Sequence, residues 1–230
     1  MRIWIAFAAA LAATSLVAEK ASALTVPFTE EFATSVSGWK NFAGAPLTWV
    51  SSGGPDGSSF ASTSFNYHGF SGPFGSGPVL FRANGSDSAS GGAFVGDWVA
   101  GGVQQVSAWV YQDTPESLSF FLRVASSTPG AGAVFSSPTL VAPNTWTQVF
   151  FAIDPGACTP EAYPCSTVLP GIVNLQLGTD APAALVALDE THQISIDRVS
   201  IANVPEPATA LLLGSGLAAI GLLGRRRARA

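Results

Sequence analysis

Between Val26 and Ile201 the chain is a succession of short apolar or alternating runs broken by Gly, Pro, Ser and Asn, with no sustained 3.6-residue period. Strands are predicted at 26–32, 47–50, 79–82, 92–98, 103–111, 118–124, 146–153, 173–177, 185–188 and 193–201. Within 103–111, Val106, Ala108 and Val110 alternate with Ser107, Trp109 and Tyr111, so the two sets lie on opposite faces. Leu118, Phe120, Leu122 and Val124 share a face in the same way. The run 146–153 is apolar on both faces toward its end, the pattern of a buried strand. In the closing strand Ile194 and Ile196 are in phase with each other but out of phase with Val199 and Ile201. One extra residue at Asp197-Arg198, a β-bulge, would produce that shift and re-aim Asp197; a plain edge strand with a solvated Asp197 reads equally well. About nine to eleven strands in one domain predict an all-β fold, a two-sheet sandwich of jelly-roll type. No internal repeat points to a solenoid or propeller.

The two ends break this pattern. Arg2 precedes an apolar stretch over 3–17, and Ala21-Ser22-Ala23 fits the small-x-small rule, so 1–23 reads as a signal peptide cut by signal peptidase after Ala23. At the other end Pro205-Glu206-Pro207 leads into an uncharged apolar run over 208–224, followed by Arg225, Arg226 and Arg227. Seventeen residues of helix span roughly 25 Å, the short end for crossing a hydrocarbon core. The arginines hold the cytoplasmic side of the inner membrane. This leaves 24–204 as the folded β-sandwich domain and 205–230 as a tail with a transmembrane helix.

The tail, from Pro205, Glu206 and Pro207 through the apolar helix to Arg225, Arg226 and Arg227, resembles the PEP-CTERM sorting signal of Gram-negative bacteria. The resemblance implies recognition by exosortase, an integral-membrane cysteine transpeptidase that cuts at or near the motif. It also implies a membrane-anchored intermediate, then a place at the cell surface or in the extracellular matrix, in company with exopolysaccharide and biofilm.

Charge narrows the partners. From 24 to 204 the basic residues are Lys40, Arg82, Arg123 and Arg198, against thirteen acidic ones, a net charge near −9. Such a surface repels nucleic acid and anionic headgroups and is compatible with divalent cations and neutral glycans. Cys158 and Cys165 flank a loop-like CTPEAYPC segment; export to an oxidising compartment makes a local disulfide the default, and the segment lacks the further His or Cys a metal site needs. The cluster at 53–57 is a turn, since no Lys-Ser/Thr follows it to cradle phosphate. His68 and His192 sit in neither HxH nor HExxH, and no GxSxG elbow appears, so no catalytic constellation is found.

FTEEFATSVSGW near the start and ISIDRVSIANV near the end resemble the first and last strands of carbohydrate-binding-module jelly rolls of the galactose-binding-like group. That group often holds one structural Ca²⁺ through an acid in the first strand and an Asp in the last, which implies Glu30 or Glu31 with Asp197 here. Trp109 and Tyr111 project together from one strand and form a glycan-stacking platform if their face is solvated, or packing if it is not. The Gly- and aromatic-rich stretch 65–74 reads as a loop that binds or covers one end of the sandwich. The sequence therefore predicts a non-catalytic, exported surface or matrix protein. A glycan-binding module is the alternative reading, and a secreted hydrolase the remote one.

Overall fold

Twelve strands form among the described residues of the computed structural model, which are 24–70, 77–156 and 158–203. They are β1 (Phe28–Glu30), β2 (Lys40–Asn41), β3 (Thr48–Val50), β4 (Phe60–Asn66), β5 (Val79–Asn84) and β6 (Gln105–Gln112). β7 (Leu118–Ser126), β8 (Gly132–Val141), β9 (Thr147–Ala152), β10 (Thr159–Pro160), β11 (Ile172–Thr179) and β12 (Thr191–Ala202) complete the set. Sheet I has the order β3-β4-β12-β6-β9, with β1 also paired to β12; sheet II has the order β10-β8-β7-β11-β5-β2. All pairings are antiparallel, and the chain crosses between the sheets as a jelly roll does. The expected signal peptide, 1–23, and the expected tail, 205–230, lie outside the described residues. Among those described, no helix is long and apolar enough to cross a membrane.

The alternation of the sequence decides the layering. Val106, Ala108 and Val110 of β6, Leu118, Phe120, Leu122 and Val124 of β7, Leu175 and Leu177 of β11, and Ile194, Ile196, Val199 and Ile201 of β12 are all buried in one core between the sheets. In β12 the pairing with β6 shifts register between Asp197 and Ser200, and Arg198 takes a left-handed φ of 47°. The shift lets both apolar pairs, out of phase in sequence, face the same core.

Two expected strands fold otherwise. Residues 92–98 hold the end of a short 3₁₀ segment, turns and one isolated bridge from Gly96 to Ile172, because positive φ at Gly91, Gly92 and Gly96 breaks any continuous strand. Phe94 and Trp98 from this stretch are nevertheless fully buried and plug one end of the core. The stretch 185–188 overlaps a single helical turn, α2 (Ala183–Val186), that buries Leu185. Conversely, β4 and β8 were not legible as strands, since Ser, Thr and Gly fill much of them. Pro138 sits where the pairing of β8 with β7 slips register, a position that requires no amide donor. Cys158 and Cys165 are joined by a disulfide with Cα atoms 6.6 Å apart, and Cys165 opens α1 (Cys165–Val168) with its side chain in the core.

Candidate binding groove

One cross-strand row runs over the outer face of sheet II. Lys40 pairs with Arg82, Arg82 with Gln176, Gln176 with Arg123, Arg123 with Val134 and Val134 with Thr159, so a single residue from each of six strands contributes. At about 4.8 Å per strand the row is roughly 24 Å long. A groove of about 480 Å³ lies along it, within the range of small-molecule sites.

Its walls and floor follow from a few sequence choices. Phe121 projects outward from β7, and a Cβ at its neighbour Gly178 would collide with the Phe121 ring, so the glycine lets that ring lie flat across β11. Phe42 and Phe70 make the wall beyond β2, in an edge-to-face cluster with Phe65 at centroid separations of 5.4 to 6.3 Å. At the opposite end Glu161 crosses Gly132, where a side chain would occupy its place, and binds Arg123 with both oxygens, Oε2 at 2.6 Å from Nη2. Arg123 Nη1 also donates to Gln176 Oε1 at 2.9 Å. Lys40 Nζ is held by Asp87 at 2.7 Å. Arg82 differs from both: its guanidinium lies 6.0 Å from the Phe42 ring centroid, and its Nε, like Asn174 Oδ1, is buried without a hydrogen-bond partner.

The residues singled out from sequence lie elsewhere. Trp109 and Tyr111 do project together, but from the outer face of sheet I, half-buried. Tyr111 packs at 5.7 Å from Trp146 and donates its hydroxyl to Asn144, while Trp146 Nε1 donates to the Gly53 carbonyl. Loop 51–59 thus leans over this face, leaving a hollow of about 250 Å³ against Tyr111, Trp146 and Phe60.

Glu30, Glu31 and Asp197 are not brought into one cradle. Alternation along β1 turns Glu30 inward, where it accepts from the Phe32 amide at 3.0 Å and from the Ser90 hydroxyl at 2.7 Å. Glu31 instead meets the guanidinium of Arg198 at 3.4 Å, as does Asp56 at 2.6 Å. Asp197 is fully buried and accepts from Ser58 Oγ and from the Arg198 amide. Burial raises its carboxyl above the ordinary carboxylate range, and the Ser58 and Arg198 hydrogen bonds oppose that rise. The donor set does not fit a calcium ion: a guanidinium already supplies the positive charge among these carboxylates. Among the described residues no group of three His, Cys, Asp or Glu side chains is arranged to hold a metal. The three residues named for Ca²⁺ thus stand in separate settings: Glu30 on Phe32 and Ser90, Glu31 in a surface ion pair with Arg198, and Asp197 on Ser58 and the Arg198 amide. His192 is buried with Nδ1 3.5 Å from Asp113, and His68 lies in the loop after β4.

Fold and site together define a jelly-roll sandwich with an open groove across one sheet. The chain also carries, at residues 203–227, a match to the PEP-CTERM protein-sorting motif. No curated protein sequence matches it. Among solved structures it is similar to the CBM22-1–GH10 modules of Clostridium thermocellum endo-1,4-beta-D-xylanase 10B complexed with xylohexaose, with TM-score 0.48 and 15% identity over 77% of this chain and 28% of that one. It is similar to the CBM22-1 xylan-binding domain of Paenibacillus barcinonensis Xyn10C, with TM-score 0.46 and 10% identity over 80% of this chain and all of that one. It is also similar to the family 11 carbohydrate-binding module of Clostridium thermocellum bound to a beta-1,3-1,4-mixed-linked tetrasaccharide, with TM-score 0.49 and 12% identity over 79% and 99%.

Proposed function

We propose that this is an exported surface or matrix protein, delivered through the exosortase route, whose sandwich grips a saccharide chain in the sheet II groove without cleaving it. The observation that carries the binding is the cross-strand row: an open channel with an aromatic wall at one end, the Phe121 ring, and planar amide and guanidinium groups along its floor. Sugar rings present apolar C–H faces and hydroxyl edges, and such a channel meets both. Hydrolysis of a glycosidic bond ordinarily needs two carboxyl groups about 5 to 9.5 Å apart. Among the described groove residues Glu161 is the one carboxylate, and it is neutralised by Arg123. The groove therefore binds and does not cut, and exopolysaccharide is the natural ligand for a protein that resides in the matrix. The face bearing Trp109 and Tyr111 is the less suited one, because Tyr111 packs on Trp146, which loop 51–59 holds through the Gly53 carbonyl.

Two measurements test the reading. Glycan-array binding of the exported protein, weakened on Phe121→Ala, supports the groove; no binding to any glycan overturns it. Intact mass of the protein from cells with and without exosortase tests delivery. A C-terminus beyond Arg225 in both strains overturns the sorting half.

A further inference from the structure

We propose that the groove selects saccharides that carry carboxylate groups, such as uronates, and that Arg82 is the residue that recognises them. This rests on the groove being the saccharide site. Three of the four basic residues between 24 and 204, Lys40, Arg82 and Arg123, stand in one cross-strand row, in a domain whose net charge is near −9. Two of them are already neutralised, Lys40 by Asp87 and Arg123 by Glu161. Among the described residues Arg82 has no carboxylate partner, its buried Nε has no hydrogen-bond partner, and its neighbour is the Phe42 ring. The adjoining stretch 71–76 contains no acidic residue in its sequence.

A buried Nε–H without a hydrogen-bond partner is costly, and an anion drawn to the guanidinium offsets that cost electrostatically. The guanidinium fork matches a carboxylate with two parallel hydrogen bonds, which a sugar hydroxyl cannot supply. The acidic remainder of the domain does not forbid this. At physiological ionic strength the Debye length is about 8 Å, so exposed carboxylates farther away are largely screened and the local row decides the sign. That row carries one uncompensated positive charge. The overall charge, which by itself favours neutral glycans, is therefore misleading at this site.

The test compares polygalacturonate with the same polymer after reduction of its carboxylates to neutral alcohols. Binding to the exported protein is measured by calorimetry at 0.15 M and 0.5 M NaCl. Wild type is expected to prefer the carboxylate polymer by about tenfold or more at the lower salt, the preference shrinking at the higher. Arg82→Gln is expected to bind both polymers equally, and Arg82→Lys to keep part of the preference. Circular dichroism and thermal melting identify any variant that fails to fold. Equal wild-type binding to both polymers, or a preference that survives Arg82→Gln, overturns the carboxylate inference and leaves the groove reading standing. Binding to neither polymer, nor to any neutral glycan, overturns both.

Discussion

Ser90 is the small residue on which the first strand and the core are joined. Its hydroxyl accepts from the indole of Trp39 at 2.8 Å and donates to Glu30 at 2.7 Å. Trp39 is fully buried, edge-to-face with Phe32 and Phe94, and Glu30 is buried too. Replacing Ser90 with Ala strands a buried N–H and leaves a buried carboxylate one donor short. A neutral hydrogen bond contributes about 1 kcal/mol and one to a charged group about 1.5–3, so the substitution should cost about 3 kcal/mol. Backbone conformation supplies a control, because Ser90 has φ 51° and ψ 35°. Gly adopts that left-handed geometry without the roughly 1 kcal/mol a Cβ incurs, so Ser90→Gly should cost about 2 kcal/mol. At about 2–4 °C per kcal/mol for a domain of this size, Ser90→Ala lowers Tm by about 6–12 °C. Thermal and urea unfolding in EDTA and in calcium should give the same loss, since both oxygens of Glu30 already accept from protein donors. A cost below about 0.5 kcal/mol for Ser90→Ala, or an equal cost for the Gly variant, would refute the reasoning.

Three further outcomes are expected. Burial raises the carboxyls of both Asp180 and Asp197 above their ordinary value of 3.8. The folded state then binds more protons than the unfolded chain, so the stability these groups contribute is full below 3.8 and is lost as pH rises through the raised values. Urea midpoints across that window should therefore fall less steeply for the Asp180→Asn, Asp197→Asn double variant than for wild type. Reducing the Cys158–Cys165 bridge, whose cysteines are 7 residues apart, should cost about 2.5 kcal/mol on the chain-entropy model, read from urea unfolding with and without reductant. The Trp109→Ala, Tyr111→Ala pair should leave saccharide affinity unchanged, whereas Phe121→Ala should weaken it about fivefold by removing roughly 1 kcal/mol of ring contact; the reverse order in calorimetry would move the site to sheet I.

Period-two alternation made the all-β class and much of the core readable before any coordinates, because in a half-buried strand burial itself writes the pattern. It was readable in β6, β7 and β12, where apolar side chains recur every second residue. The phase change at Asp197-Arg198 was legible for the same reason. Where the outer face carries Ser62 and Ser64 and the inner face Ala61 and Thr63, as in much of β4, the signal fades. At 92–98 the apolar residues were real but the strand was not, since glycine conformations bent the chain while Phe94 and Trp98 still found the core. The groove was the least legible part. Arg123 and Gln176 could be placed on outward faces one strand at a time, but nothing in the sequence joined them to Arg82.

By itself the sequence determined the C-terminal sorting motif, the charge, the alternation and the pairing-prone cysteines, because these are properties of contiguous residues. The tertiary structure alone decided that Lys40, Arg82, Gln176 and Arg123 stand in one row. It alone turned Glu30 away from Asp197, and set Trp109 and Tyr111 on the sheet opposite the groove. The reason is register: hydrogen bonds between strands distant in sequence choose which side chains are neighbours, and a shift of one residue would have sent each of them to the other face.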